Sequence, residues 1–196
     1  GLRTLLPITY VTFGLGYLAI IGVPPFAGFF SKDAIIETAF NSGGLKGWLL
    51  GGAALLGAGI TAFYMTRVML LTFFGQRRWK PNTHPHESPG IMTGPIAVLA
   101  FLSTVGGFLL AFNNTIEHWL EPVLPFEEPV LGVPIIVITI VTLAVVVVGA
   151  VLGWVLYARR SVPVVAPAGN VLTRAARADL YGDAFNEAVF MRPGQY

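Results

Sequence analysis

Gly22-Val23-Pro24-Pro25-Phe26-Ala27-Gly28-Phe29-Phe30-Ser31-Lys32-Asp33 is the stretch that decides the fold. It interrupts an apolar segment over about 5–40, roughly 35 residues that as one straight helix would measure about 50 Å. That is too long for a single unbroken crossing of a hydrocarbon core of about 30 Å. Pro24 and Pro25 remove two adjacent backbone donors, and Gly22 and Gly28 lower the cost of irregular dihedrals. A membrane-spanning helix broken at 22–28 is the simplest arrangement, with Lys32 and Asp33 directly after the break.

Composition around this stretch supports a lipid setting. Of 196 residues, 55% are hydrophobic and 11% charged, against roughly 25% charged in an average soluble domain. Three more apolar runs follow, over about 47–75, 91–112 and 130–157. The second span carries a small-residue face, Gly47, Gly51, Ala54 and Ala58, suited to close helix approach. The fourth includes the β-branched run 135–141, whose overall length favours a helix over a strand, and ends near Trp154 and Tyr157, where aromatic belts belong. The expected fold is all-α: a polytopic membrane domain over 1–157 with four transmembrane helices, the first discontinuous. A Pro/Ala/Gly stretch at 163–169 lies in a linker over 158–178. Over 179–196 Leu180, Tyr181, Ala184, Phe185, Ala188 and Val189 recur at helical spacing opposite Asp179, Asp183, Asn186 and Glu187, up to an interruption at Arg192-Pro193-Gly194. That pattern reads as the start of an amphipathic helix lying along a membrane or on neighbouring subunits. The chain opens at Gly1 in the approach to a span, without an initiator methionine or a secretory leader, and is expected to be a fragment.

Four spans alternate the loops between two sides. One side gathers Arg3, Arg77, Arg78, Lys80, Arg159, Arg160, Arg174 and Arg177; the other holds Lys46 with Glu117, Glu121, Glu127 and Glu128. The positive-inside rule assigns loops 76–90 and 158–196 to the cytoplasm, or to the matrix of an organelle. The net charge of +2 is too small to suggest nucleic-acid binding. With no cysteine the chain holds no disulfide, no cysteine-ligated iron–sulfur cluster and no c-type haem. His84 and His86 alone make a weak metal motif, so neither metal nor redox cofactor is expected here. Asn113-Asn114-Thr115 matches a glycosylation sequon but abuts a membrane end, and the glycines at 51, 52, 57 and 59 read as packing residues.

An ionisable residue inside a spanning segment is costly and is a functional candidate by default. Ser31 is placed to cap the second half-helix, which would set Lys32 and Asp33 in its first turn. The positive end of a helix favours the carboxylate of Asp33 and works against the ammonium of Lys32, as does burial. Lys32 is therefore the candidate proton-loading group, Asp33 a second relay group, and Glu37, four residues further on the same side, a weaker third. The plainer alternative is that Lys32 snorkels to an interface or forms a fixed ion pair with Asp33 or Glu37. Arg67, about two turns inside the end of the second span, snorkels or tunes the path from within.

The stretch 22–33 closely resembles the antiporter-like subunit L family of proton-pumping NADH:quinone oxidoreductase, respiratory complex I. Thr72-Phe73-Phe74-Gly75, then His84-Pro85-His86-Glu87-Ser88-Pro89 and a further apolar span, match the family's next helix, loop and helix in order. The resemblance implies a C-terminal portion of that subunit in an energy-transducing membrane: the broken helix of the second half-channel, three further spans and the opening of a long lateral helix. It also implies that the lysine of the broken helix takes part in proton transfer near the outward exit and that the acidic residue after it assists; by motif these are Lys32 and Asp33. The expected partners are the lipid bilayer and other membrane subunits, especially a neighbouring antiporter-like subunit, with NADH, FMN, iron–sulfur clusters and quinone on other subunits. Multi-subunit sodium/proton antiporters and membrane-bound hydrogenases share the fold and the lysine after the break, and a purely structural scaffold is the third alternative.

Overall fold

The computed structural model describes residues 1–77, 79–123, 135–159 and 168–192. Arg78, Glu127, Glu128, Arg160, the predicted start of the fourth span at 130–134, positions 163–167 and the interruption at Pro193 and Gly194 lie outside the described residues, as does the side chain of Glu117. Among the described residues every regular element is helical. The chain forms two compact units, Gly1–Ser161 and Val162–Tyr196.

In the first unit, α1 (Pro7–Ile21) and α2 (Ala27–Asn41) are the two halves of the broken segment expected over 5–40. Each has 15 residues and so measures about 22 Å. α3 (Gly44–Met69) continues through a π-helical turn, Leu70–Phe74. α4 (Gly90–Ala111), the short α5 (Thr115–Leu120) and α6 (Ile135–Ala158) follow. Among the described residues three helical stretches are long and apolar enough to cross a membrane: Gly44–Phe74, Gly90–Asn114 and Ile136–Ala158.

The break is built by a helix end followed by prolines. Gly22 adopts φ 76°, a left-handed conformation that costs a residue with a Cβ about 1–2 kcal/mol. Its N–H donates to the Ala19 carbonyl at 3.0 Å, and that of Val23 to the Leu18 carbonyl at 3.1 Å. This pattern closes the last turn of α1 and satisfies carbonyls that would otherwise be orphaned. Pro24 and Pro25 occupy the connection, and extended Phe26 stands at the N-cap of α2.

Two expectations about this region are corrected. Gly28 is not part of the break: it sits inside α2, where a Cβ would collide with the Ala19 carbonyl oxygen, so its role is close packing of α2 on α1. Ser31 is not the N-cap either. It lies inside α2 with its hydroxyl donating to the Ala27 carbonyl at 3.4 Å, the i−4 bond a helical serine uses when another residue has already started the helix. Lys32 and Asp33 therefore stand in the second turn of α2, one turn further from its positive end than expected.

After a short turn α2 folds back along α3. The Phe40 ring fills the space over Gly51, and the Phe40 carbonyl lies against Gly47. α6 runs parallel to α3: Val145 and Gly149 meet Gly59, Gly153 meets Phe63 and Thr66, and the Tyr157 ring lies 6.1 Å from that of Phe63. Each of these glycines marks a place where a Cβ would strike the neighbouring helix, which is how small residues hold membrane helices together without a hydrophobic driving force. Ile21, Ile36, Ala58, Ala62, Ile138 and Val146 form the buried core of this assembly. α4 reaches α2 through Gly107, which abuts Ala27 and Phe30. Leu56, Ile60, Leu99, Ile140 and Val148 are exposed on the outer faces, as befits contact with lipid or further helices.

The second unit departs from the expected linker and helix. Residues of the predicted linker form α7 (Val171–Arg177), capped by Asn170, whose side chain accepts from the Thr173 N–H at 2.8 Å. The predicted amphipathic helix does not begin at Asp179: Asp179, Leu180 and Tyr181 all have positive φ. Helical structure resumes in α8 (Gly182–Asn186) and a π-helical turn, Glu187–Met191, closed by an Arg192–Glu187 ion pair at 3.3 Å.

Candidate functional site

The Lys32 side chain turns back to the end of α1. Its Nζ donates to the Ile21 carbonyl at 2.6 Å, and the amine occupies the space where a Cβ on Gly22 would stand. Glycine at 22 thus serves two purposes, the left-handed turn and room for the amine. The carbonyl end of α1 carries partial negative charge, so the amine lies between the negative end of one half-helix and the second turn of the other. This arrangement follows from the break: the residue four positions after Ile21, whose N–H would take that carbonyl in a helix, is Pro25, which has none.

Lys32 also lines an open cavity of about 400 Å³ between α2 and α3, together with Ser31, Ala54, Ala58, Thr61 and Tyr64. Ala58 and Thr61 bracket the middle of Gly44–Phe74, so the lysine stands beside the midpoint of that apolar stretch.

Asp33 faces elsewhere. Both of its carboxylate oxygens are buried without a hydrogen-bond partner, and the Thr139 hydroxyl on α6 is its polar neighbour there, outside hydrogen-bonding geometry. Glu37 is half-buried one turn further along α2. No ion pair joins Lys32 to Asp33 or Glu37 among the described residues. The fixed ion pair offered by the plainer reading is therefore replaced by a lysine bonded to backbone. The structure brings Lys32 to the break and the α2–α3 cavity, and Asp33 to the α2–α6 side; it does not bring the two head groups into contact.

The basic residues of one side gather on aromatic rings. Arg3 lies 5.1 Å from the Phe74 centroid, Arg67 5.3 Å from Tyr157, Arg77 5.8 Å from Trp79 and Arg159 5.0 Å from Trp154. Arginine stacked on aromatics at helix ends is what a membrane boundary calls for. Arg67 is exposed, with its charge on a ring of α6.

Three polar contacts escape a reading of the sequence. The Tyr17 hydroxyl and the Thr66 Oγ1 lie 2.9 Å apart and tie α1 to α3. Thr139 sits in a run that reads simply as apolar; a hydroxyl there was the available signal. Glu87, in the loop between α3 and α4, reaches the start of α1: Oε2 accepts from the Ile8 N–H at 2.8 Å and the Thr9 N–H at 3.3 Å, and Oε1 accepts from the Thr9 hydroxyl at 2.6 Å. The signal for Glu87 lay at the other end of the contact, since Leu6 at the N-cap and Pro7 at the first position leave α1 with no side-chain cap of its own. The Thr9 hydroxyl, aided by the N–H groups of Ile8, Thr9 and Ser88, holds the Glu87 carboxyl below its ordinary value, against a smaller opposing effect of desolvation.

Comparison with known proteins matches residues 1–61 to the family described as NADH:quinone oxidoreductase/Mrp antiporter, transmembrane. The chain is 61% identical over 196 residues to the NADH-quinone oxidoreductase subunit L of Mycobacterium tuberculosis strain H37Rv, an alignment covering 99% of this chain and 31% of that protein. It is 47% identical over 120 residues to the chloroplastic NAD(P)H-quinone oxidoreductase subunit 5 of Chaetosphaeridium globosum, covering 58% of this chain and 17% of that one. It is 34% identical over 164 residues to the NADH-quinone oxidoreductase subunit L of Rickettsia bellii, covering 80% and 25%. The chain thus spans about a third or less of the length of these relatives. The family match runs through the break and Lys32, and the identity extends along almost the whole chain, so this chain is similar throughout to about a third of a subunit L of the NADH-quinone oxidoreductases.

Proposed function

We propose that this chain is a C-terminal portion of a proton-translocating membrane subunit of NADH:quinone oxidoreductase, and that Lys32 carries the proton. The observation that carries the reading is the Lys32 amine itself: bonded at 2.6 Å to a carbonyl freed by a helix break, beside the midpoint of an apolar span and open to a cavity. An amine held by a backbone dipole and not by a carboxylate keeps an acceptor in either protonation state, which suits a group that loads and releases a proton. Asp33 is the next group, its two unpartnered oxygens free to accept, and water bridges the separation between the two head groups. Glu37 extends the same face toward the end of α2.

In this reading α1 and α2 together make a fourth, broken crossing, since neither 15-residue half spans about 30 Å alone. The arginine-bearing end, with loops 76–90 and 158–196, faces the cytoplasm or matrix. The helical run 182–191 opens a lateral helix that lies on neighbouring membrane subunits, among them another antiporter-like subunit. Electron transfer from NADH through FMN and iron–sulfur clusters to quinone belongs to other subunits.

The test is Lys32→Ala, with Lys32→Met as its companion, in the intact complex. Loss of proton translocation with assembly retained is expected; wild-type proton stoichiometry and turnover would sink the reading. The matched family also takes in Mrp antiporters, which favours a sodium/proton antiporter subunit as the second reading. Proteins that co-purify with the full-length subunit decide between them: flavin and iron–sulfur subunits for the first, no redox protein for the second.

A further inference from the structure

α1 is held at both ends by residues distant in the sequence. Its last carbonyl, that of Ile21, accepts the Lys32 amine. Its first N–H groups, left without a cap by Leu6 and Pro7, are taken up by Glu87, 79 residues beyond Ile8. The Ser88 N–H donates to Oε1 at 3.3 Å and steadies the carboxylate within its own loop. Nearby, the N–H groups of Leu2 and Arg3 donate to the Thr72 and Phe73 carbonyls at 3.0 and 3.4 Å, in the π-helical turn that ends α3. The start of α1 is thereby moored to the end of α3 and to the loop that follows it.

We propose that Glu87 is a positioning residue for Lys32: by fixing where α1 begins, it fixes where the Ile21 carbonyl ends, and so the acceptor that the lysine meets. A helix is stiff along its axis, and hydrogen bonds of this kind tolerate only about 0.5 Å of variation in length. A slip of α1 by a fraction of one residue's rise of about 1.5 Å is enough to release the amine. Glu87 touches no transferred proton. It acts through the helix, and the α3–α4 loop becomes a means by which events at the membrane surface reach the middle of the bilayer.

This inference rests on the reading of Lys32 as the proton carrier, and the experiment separates the two. Proton translocation per assembled complex, and its pH profile, are measured for Lys32→Ala, Glu87→Ala, Glu87→Gln and Thr9→Val. Glu87→Ala is expected to lower translocation on the order of twofold to fivefold, the range spanned by loss of a charged partner at a helix terminus. Glu87→Gln should recover part of it, since its side-chain carbonyl still accepts. Thr9→Val removes no titrating group and deletes only the bond to Oε1; it should shift the midpoint of the pH profile and lower translocation less than Glu87→Ala. Should Glu87→Ala not assemble, Thr9→Val carries the same comparison. Assembled variants that lose only thermal stability, with unchanged translocation and an unmoved pH profile, overturn the proposal and leave Glu87 a simple cap. If Lys32→Ala is impaired and the Glu87 and Thr9 variants are not, only this inference falls; if Lys32→Ala translocates normally, the reading beneath it falls.

Discussion

The α1–α2 junction and the α3–α6 interface use glycine for opposite ends. Between α3 and α6 two unbroken helices run side by side, and Gly59, Gly149 and Gly153 let their backbones approach closely at that level. At the junction, Gly22 ends a helix in mid-course and leaves a carbonyl and a space, and the Lys32 amine takes both. One region brings two helices into close backbone contact; the other admits an ionisable group by supplying a backbone partner. Irregular backbone is tolerated at membrane depth only where it is buried in protein or lines a cavity, and here packed helices and an open cavity adjoin it.

Three substitutions test that contrast. The largest effect is expected from Gly149→Leu, which drives a branched side chain into the Gly59 carbonyl of α3; overpacking of this kind costs about 1–3 kcal/mol, and a backbone obstacle puts it at the upper end. Thermal unfolding of the purified complex should show it, and an unchanged transition would mean that the helices are not in close contact there. Gly22→Ala is next. It pays about 1–2 kcal/mol for left-handed backbone and also displaces the Lys32 amine, so translocation should fall beyond what the stability loss explains. Equal effects of Gly22→Ala and of a matched surface destabilisation would erase the distinction between the two regions.

The smallest effect concerns the mooring of α1. Because Glu87 is held below its ordinary 4.5 in the folded protein, its contribution to stability is present above that value and is lost as the pH falls through the depressed one. Wild type should therefore exceed Glu87→Gln in thermal stability at neutral pH, with the gap closing in acid. A gap that is constant with pH would show that the carboxylate charge is not what holds α1.

The spans, the break and the candidate lysine were legible because they rest on local quantities: length against bilayer thickness, two prolines, a charge in an apolar run. What was not legible depends on distant partners. Ser31 looked like a cap because serine favours caps, yet the helix had already begun at Ala27, where Gly107 of α4 abuts the chain. Nothing near Glu87 in sequence points to Ile8 and Thr9, and nothing near Asp33 points to Thr139 on α6. The kink at 179–181 is carried in part by Leu180 and Tyr181, which ordinarily avoid positive φ, so helical spacing ran across it unnoticed.

The amine of Lys32 and the missing side chain of Gly22 occupy one volume, and this ties two positions ten residues apart into a single unit of inheritance. A lineage that exchanges the lysine for a shorter residue gains room at 22, and one that fills 22 must first relocate the amine. Across an alignment of relatives the two positions should change together or not at all, a pattern open to a count of sequences without any measurement on the protein.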